Sequence, residues 1–257
     1  MTEGNSETGQ LTHLSDNDGF TYTGRELEAM SVAANYHSWI LGIFNPYLGR
    51  HLVEVGAGLG SFSELILSHH ACDTLSLVEP SREMCDQLRV RAEQMPARPR
   101  VDVYHASFPA AAPLITAKQV PDSVIYVNVL EHIEDDEAEL TAIHDALSPQ
   151  GRVFIFVPAL TWLYGAFDER VGHLRRYMRS ELEGKLSRTG FQTLVSSYFD
   201  LAGVAPWWIK YCLLKSATME SGAVRFYDRY IVPSARRFES VIKPPLGKNL
   251  IVVAEKR

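Results

Sequence analysis

The chain lacks the features that would mark it as secreted, disulfide-built or membrane-spanning. It has three cysteines in 257 residues, Cys72, Cys85 and Cys212, far apart and with no C-x-x-C pair. An odd, scattered set supplies neither a disulfide framework nor zinc-ligand spacing. Free thiols, no metal and a reducing, cytoplasmic setting are therefore expected. No apolar run reaches the roughly 18 residues needed to cross a bilayer. The nearest candidate, Leu201 to Leu214, is interrupted by Pro206 and Lys210. The N-terminus is polar, rich in Ser, Thr, Asn and Gly, and has neither the basic nor the apolar stretch of a signal peptide, so residues 1–20 read as a flexible tail. Basic residues are not in excess: 25 Lys and Arg stand against 31 Asp and Glu, a net charge of −6. General nucleic-acid binding is not expected from that balance.

The chain does contain a regular alternation of strand and helix patterns. Residues 21–48 carry a helical stripe in which Leu27, Met30, Ala34, Trp39, Ile40 and Phe44 recur at i, i+3, i+4 spacing. Apolar strand runs follow at His51–Val55, Thr74–Glu79, Arg100–His105, Asp122–Asn128 and Arg152–Val157. Helices are predicted at Ser61–Ser68, at Ser81–Gln94 with Ser81 as N-cap, and up to about Ala146. Strand alternating with helix predicts a parallel sheet with crossover helices on both faces, and continuous apolar strands fit a sheet covered on both sides. Past Pro158 the rhythm changes to a cover segment, Ala159–Tyr177, then a helix at Ser180–Arg188 and a sixth strand at Phe191–Tyr198. An aromatic, largely helical stretch from Leu201 to about Val232 and a last strand at Asn249–Val253 complete the chain.

The first strand runs into Glu54-Val55-Gly56-Ala57-Gly58-Leu59-Gly60-Ser61. Glycines permit a tight strand-to-helix turn and close approach of a ligand to the backbone. Nineteen residues after Gly60, at the end of the second strand, Glu79 is placed to accept hydrogen bonds from both hydroxyls of an adenosine ribose. Dinucleotide folds place the third glycine three positions after the second. Here it follows after two, and Glu54 precedes the loop. That spacing leaves an NAD(P)-dependent oxidoreductase as the alternative, beside a catalytically silent module on the same fold.

E-x-G-x-G-x-G at residues 54–60 resembles the first motif of class I S-adenosylmethionine (SAM)-dependent methyltransferases. Val78-Glu79-Pro80-Ser81, the segment from Asp122 to Ile133, and the turn Leu147–Arg152 resemble further motifs of that family in order and spacing. The resemblance covers residues 50–158. It implies an α/β, Rossmann-like, seven-stranded sheet, parallel except for the last strand, with an N-terminal cap helix and a C-terminal helical, aromatic insertion. It divides one domain, 21–257, into the cap helix (21–48), a cofactor-binding core (50–158) and a substrate-covering region (159–257). SAM is the implied cofactor and S-adenosylhomocysteine the product. Glu54, Gly56, Ala57, Gly58 and Gly60 would line the methionine side, with Asn128 and Val129 beside it. Glu79 would hold the ribose, and Pro80 and Ser81 would flank the adenine. Many family members carry an acid after the third strand for the adenine amino group. This chain has His105-Ala106-Ser107-Phe108, so Ser107 and Phe108 are the expected substitutes. Tyr36 of the cap helix is a further expected contact.

Methyl transfer from a sulfonium is an in-line displacement in which the enzyme mainly aligns the acceptor. An oxygen acceptor of high pKa also needs a base. His132, just past the fourth strand, and His173 are the candidates, with His37 behind them; His132 equally reads as a helix-start residue. Gly172-His173-Leu174-Arg175-Arg176-Tyr177 resembles a segment of one methyltransferase subgroup. Arg175 and Arg176 would clamp an anionic acceptor, with Tyr177 and Trp207 beside it. The competing reading pairs the arginines with Asp168 and Glu169 and sends Tyr177 into the core. The aromatic stretch reads as an acceptor pocket, a homodimer face, a membrane-surface helix or a plain helical cover. The expected partner is thus a small-molecule or lipid-like acceptor, methylated on oxygen, with peripheral membrane contact at most.

Overall fold

The computed structural model describes residues 33–96 and 98–257. The tail and the first part of the expected cap helix lie outside the described residues. Strand β1 spans His51–Val55, β2 Thr74–Val78, β3 Arg100–Tyr104, β4 Ser123–Val127, β5 Arg152–Pro158, β6 Phe191–Phe199 and β7 Asn249–Lys256. Among the described residues they form one seven-stranded sheet in the order β3-β2-β1-β4-β5-β7-β6. β7 alone runs antiparallel, paired with β5 on one side and β6 on the other.

Side chains alternate across the sheet, because successive residues of a strand face opposite ways. Val53, Val55, Val124, Tyr126, Val153 and Ile155 belong to one buried cluster, and Leu52, Ile125, Phe154 and Phe156 to the other. The helices covering these faces are α1 (Ala34–Phe44), α2 (Ser61–His69), α3 (Arg82–Ala92), α4 (Phe108–Lys118) and α5 (Asp136–Ala146), and later α6 (Ala166–Val171) and α7 (Arg179–Arg188). Ser81 caps α3, its hydroxyl accepting from Met84 N at 3.5 Å, and Asp135 caps α5, accepting from Ala138 N at 2.9 Å. The acidic first turn of α5 (Asp136, Glu137, Glu139) suits the positive end of the helix dipole.

The residue pattern singles out no helix of its own between β3 and β4, yet α4 forms there with Pro109 in its first turn and Pro113 inside it. Pro109 costs nothing where the N–H has no intrahelical partner anyway. Pro113 removes one bond, which burial of Ala111, Ala112 and Ile115 against the sheet and α5 outweighs. The stretch after Leu201 is helical in a chain of short pieces. Val204–Trp207 continues into a wide π turn at Trp208–Leu213, and helix resumes at Ser221–Phe226, followed by a second π turn, Tyr227–Ile231, and Val232–Glu239.

Strand order reverses between β1 and β4, with β2 and β3 to one side and β5 to the other. In open α/β sheets ligands bind outside the carboxyl ends of the strands at such a reversal.

Candidate active site

The floor of the site is built from backbone hydrogen bonds. As β1 ends, Gly56 N and Ala57 N donate to Val78 O, the last carbonyl of β2, at 2.8 and 3.2 Å. Gly58 N then donates to Glu79 Oε2 at 2.9 Å, and Ser81 N to Glu79 Oε1 at 2.8 Å. One carboxylate, 4% exposed, thus joins the loop after β1 to the loop after β2. Burial raises the Glu79 pKa, opposed by the Ser81 and Gly58 N–H groups. Gly58 has φ +55°, a left-handed backbone, and a Cβ placed on it would meet nothing within 4 Å. The loop therefore leaves an open cradle where most residues would project a side chain.

Above the floor lies a cleft of about 1480 Å³. A pocket for one drug-sized ligand rarely exceeds about 1,000 Å³, so there is room for two. Of the expected cofactor residues, Tyr36, Glu54, Gly56, Ala57, Gly58, Glu79, Pro80, Ser81, Ser107, Phe108, Asn128 and Val129 all line it. Gly60 does not: it caps α2, and a Cβ there would stand 2.9 Å from Leu88 Cδ1, so its role is close packing against α3. Asn128 holds a left-handed φ of 54° at the tip of β4, a conformation Asn tolerates better than most residues. Glu54 accepts from Ser63 Oγ at 2.6 Å, and burial pushes its pKa up to about 7.

The two candidate bases meet on the cleft wall, their rings 4.8 Å apart and edge-to-face. His132 Nδ1 donates to Gly172 O at 3.1 Å. His173 Nδ1 lies 2.7 Å from Asp168 Oδ1, and its Nε2 is 3.7 Å from Glu131 Oε1. Burial, with the neighbouring His173, lowers the His132 pKa to about 4, while burial pushes Glu131 up to about 7 against the attraction of His173. His37 also lines the cleft; burial takes its pKa to about 4, opposed by Asp228.

In the G-H-x-R-R-Y segment the structure departs from the expected anion clamp. Arg176 is 3% exposed and Asp168 fully buried; Nη2 sits 3.0 Å from Asp168 Oδ1, and Nη1 donates to Ala159 O. Arg175 turns instead to Asp136 at 3.0 Å and to Glu134 O. The two guanidiniums face different acids, so no paired clamp forms, and Arg175 is not among the cleft residues. Tyr177 is a core residue rather than a cleft wall: it is fully buried and its hydroxyl donates to Asp136 Oδ2 at 2.7 Å. Trp207 does line the cleft, with the Arg176 guanidinium 4.6 Å over its ring.

The sequence reading missed Lys248, Asn249 and Asp200. Lys248 and Asn249 line the cleft. Asp200 is fully buried and holds Lys248 Nζ at 3.1 Å, the Tyr36 hydroxyl at 3.1 Å and the Tyr227 hydroxyl at 2.5 Å. No spacing connects these residues, since Tyr36 and Asp200 are 164 positions apart. Glu131 was read only as part of a motif, with no role of its own.

The switch-point cleft, glycine loop and Glu79 define the class I, Rossmann-like methyltransferase architecture. A family model described as a methyltransferase domain matches residues 16–196, and the chain belongs to that family. The matched domain is a methyltransferase domain, and the oxidoreductase reading falls away. The chain is 39% identical over 54 residues to ribosomal RNA small subunit methyltransferase A of Methylibium petroleiphilum, a match spanning 21% of this chain and 20% of that protein. Its fold is similar to a chain of the complex containing the Haloferax volcanii Trm112 methyltransferase activator (TM-score 0.60, 12% identity, 90% of this chain and 92% of that one). It is also similar to the N-methyltransferase NodS of Bradyrhizobium japonicum WM9 bound to S-adenosylhomocysteine (TM-score 0.55, 11% identity, 88% and 87%). Among the described residues no helix is long and apolar enough to cross a membrane.

Proposed function

We propose that the chain methylates an oxygen of a small or lipid-like acceptor held between the glycine-loop floor and the 159–248 cover. The observation that carries this reading is the corner where His132 and His173 meet on the cleft wall, with the buried Glu131 behind them. A hydroxyl acceptor must lose its proton as it attacks, and this corner is where the chain has groups to take it up.

When bound, SAM supplies an electrophilic methyl group on a sulfonium. Glu54, Gly56, Ala57, Gly58, Asn128 and Val129 would hold its amino-acid end. Glu79 would take the ribose, since each carboxylate oxygen keeps acceptor capacity beyond the one N–H it now receives. Pro80, Ser81, Ser107 and Phe108 would surround the adenine. Phe167, Trp207 and Met219 give the acceptor an apolar wall. The anionic acceptor expected from Arg175 and Arg176 loses that support, because both charges are neutralised within the protein. Exclusion of water under the cover would favour transfer to the acceptor over hydrolysis.

The test is incubation with methyl-labelled SAM and a panel of hydroxyl-bearing small molecules and lipids, with RNA and amines as controls. Label on an oxygen of the former is expected, and exclusive label on nitrogen or RNA would overturn the reading. In the same assay His173→Ala should abolish transfer while leaving S-adenosylhomocysteine affinity within about twofold, because His173 acts on the acceptor side.

A further inference from the structure

The helical stretch from Ser221 to Glu239 has two faces of opposite character. The inner face is anchored on the protein. Val232 and Ala235 are buried in a cluster on the sheet, and Val224 and Tyr227 pack against it. Both acids of the stretch are also spent inward. Asp228 Oδ1 accepts from Tyr36 N at 2.9 Å, and the Glu239 carboxylate accepts from Leu201 N at 2.8 Å and Asp200 N at 3.1 Å. The outer face is apolar and cationic together. Phe226, Tyr230, Phe238, Val241 and Ile242 are each more than half exposed. An arginine precedes each of these three aromatics, in Arg225-Phe226, Arg229-Tyr230 and Arg237-Phe238, and all three arginines are exposed. The Phe226 and Tyr230 ring centroids are 5.1 Å apart, and the Arg229 guanidinium stands 5.6 Å over Tyr230. Arg175, Arg176 and Lys185 elsewhere in the cover each find a carboxylate. Among the described residues Arg225, Arg229, Arg237 and Lys243 form no such pair. The π turn at Tyr227–Ile231 helps to align the aromatics. A wider turn advances less around the axis per residue, so positions 226, 230 and 238 drift apart less than on an uninterrupted α-helix. Large apolar groups grouped on a surface in this way mark an interaction site.

We infer that the outer face of residues 221–243 is a docking surface for a bilayer that carries anionic headgroups. Charge selects the partner. This stretch has five basic residues against two acids, whereas the whole chain has a net charge of −6. With both acids turned inward, the face shown to solvent is cationic and is drawn to anionic lipid. The apolar groups narrow the choice further. Phe and Ile side chains leave water by entering the boundary between headgroups and acyl chains, while arginines beside them stay at headgroup level. A nucleic acid would engage the arginines but leave Val241 and Ile242 in water. A second copy of the chain meeting this face with its own would set like charges opposite one another, because a two-fold contact joins a patch to itself. The stretch would lie in the plane of the interface, since no described helix is long and apolar enough to cross a membrane. In sequence the surface is flanked by cleft residues, Trp207 and Met219 before it and Lys248 and Asn249 after it. On the methyltransfer reading above, docking would bring lipid-like acceptors to that wall. The docking itself does not depend on that reading.

The test is co-sedimentation of the full chain with vesicles of phosphatidylcholine alone and of phosphatidylcholine mixed with phosphatidylglycerol. Binding to the mixed vesicles only, weakening as salt rises, is expected. Each arginine near an anionic surface contributes roughly fivefold in affinity, so Arg225→Gln, Arg229→Gln and Arg237→Gln combined should weaken binding on the order of a hundredfold. Phe226→Ala combined with Phe238→Ala should weaken it at least about tenfold and leave the salt dependence unchanged. Both variants should keep the wild-type S-adenosylhomocysteine affinity and urea midpoint, because the altered side chains are exposed and none lines the cleft. Binding to neither vesicle, equal binding to both, or unchanged binding by both variants would overturn the surface. A stable dimer in sedimentation velocity that the double Phe variant dissociates would overturn it as well. Vesicle binding without S-adenosylhomocysteine binding would instead count against the methyltransfer reading and leave the surface standing.

Discussion

The floor and the cover of the cleft are built by different physics. The floor is assembled from neighbours in sequence: Gly58 and Glu79 are 21 positions apart and joined through a backbone N–H. The cover is assembled from distant charged groups taken out of water. Asp168 pairs with Arg176 in full burial, Asp200 gathers Tyr36, Tyr227 and Lys248, and Asp136 gathers Tyr177, Lys185 and Arg175. Backbone turns survive most side-chain changes, whereas a buried ion pair fails when either partner is lost. The difference predicts that floor mutations will alter ligand affinity and cover mutations will alter stability.

The largest effect is expected in the cover. Arg176→Ala strands Asp168, which is fully buried, and should cost about 3–5 kcal/mol in urea unfolding. A loss below about 1 kcal/mol would mean that the pair does not hold the cover. The floor contributes a pH dependence through Glu54. Its pKa is raised from the ordinary 4.5 to about 7, so over that interval the native state holds a proton the unfolded chain has released. Stability should therefore be highest below pH 4.5 as far as this group is concerned, and fall with rising pH by up to about 1.4 kcal/mol per unit. Above about pH 7 the decline should stop. Glu54→Gln should flatten the profile between those limits, and superimposable wild-type and variant curves would remove the assignment.

Two smaller effects belong to ligand binding. Glu79→Ala should raise the S-adenosylhomocysteine Kd about tenfold to a hundredfold by calorimetry, since hydrogen bonds to a charged group contribute about 1.5–3 kcal/mol. Unchanged affinity would take the ribose from Glu79. The smallest change in fold stability, about 1–2 kcal/mol, should come from Gly58→Ala, which places a Cβ on a left-handed residue without a clash. Its larger consequence should be weaker cofactor binding, and a normal Kd would show that the cradle is not used.

The floor was readable because each of its parts leaves a local trace. β1 begins and ends at His51 and Val55 as its apolar run predicts, Ser81 caps its helix, and Glu79 falls at the expected distance after the glycines. Helix α4 was not readable, because Pro109 and Pro113 argue against helix locally and only packing against the sheet and α5 overrides them. Gly60 looked equivalent to Gly58, yet one packs against Leu88 and the other opens on the cleft. Arg175 and Arg176 looked like a pair, but the folded chain turns each guanidinium to a different acid, Asp136 and Asp168.

The order of residues was enough to determine the alternating α/β architecture, the switch-point glycine loop and the methyltransferase class. The first two follow from periodicities and spacings within about twenty-five residues, the scale on which strand, turn and helix are encoded, and the third from the resemblance of segments 54–60, 78–81, 122–133 and 147–152 to that family's motifs. Folding alone decided that Glu131 and His132 meet His173 from another loop, that Arg176 is neutralised by Asp168, and that Asp200 ties Tyr36 to Lys248. Such contacts depend on how strands and cover pack in three dimensions, and burial, which sets their strength and their pKa values, is a property no single stretch of sequence possesses.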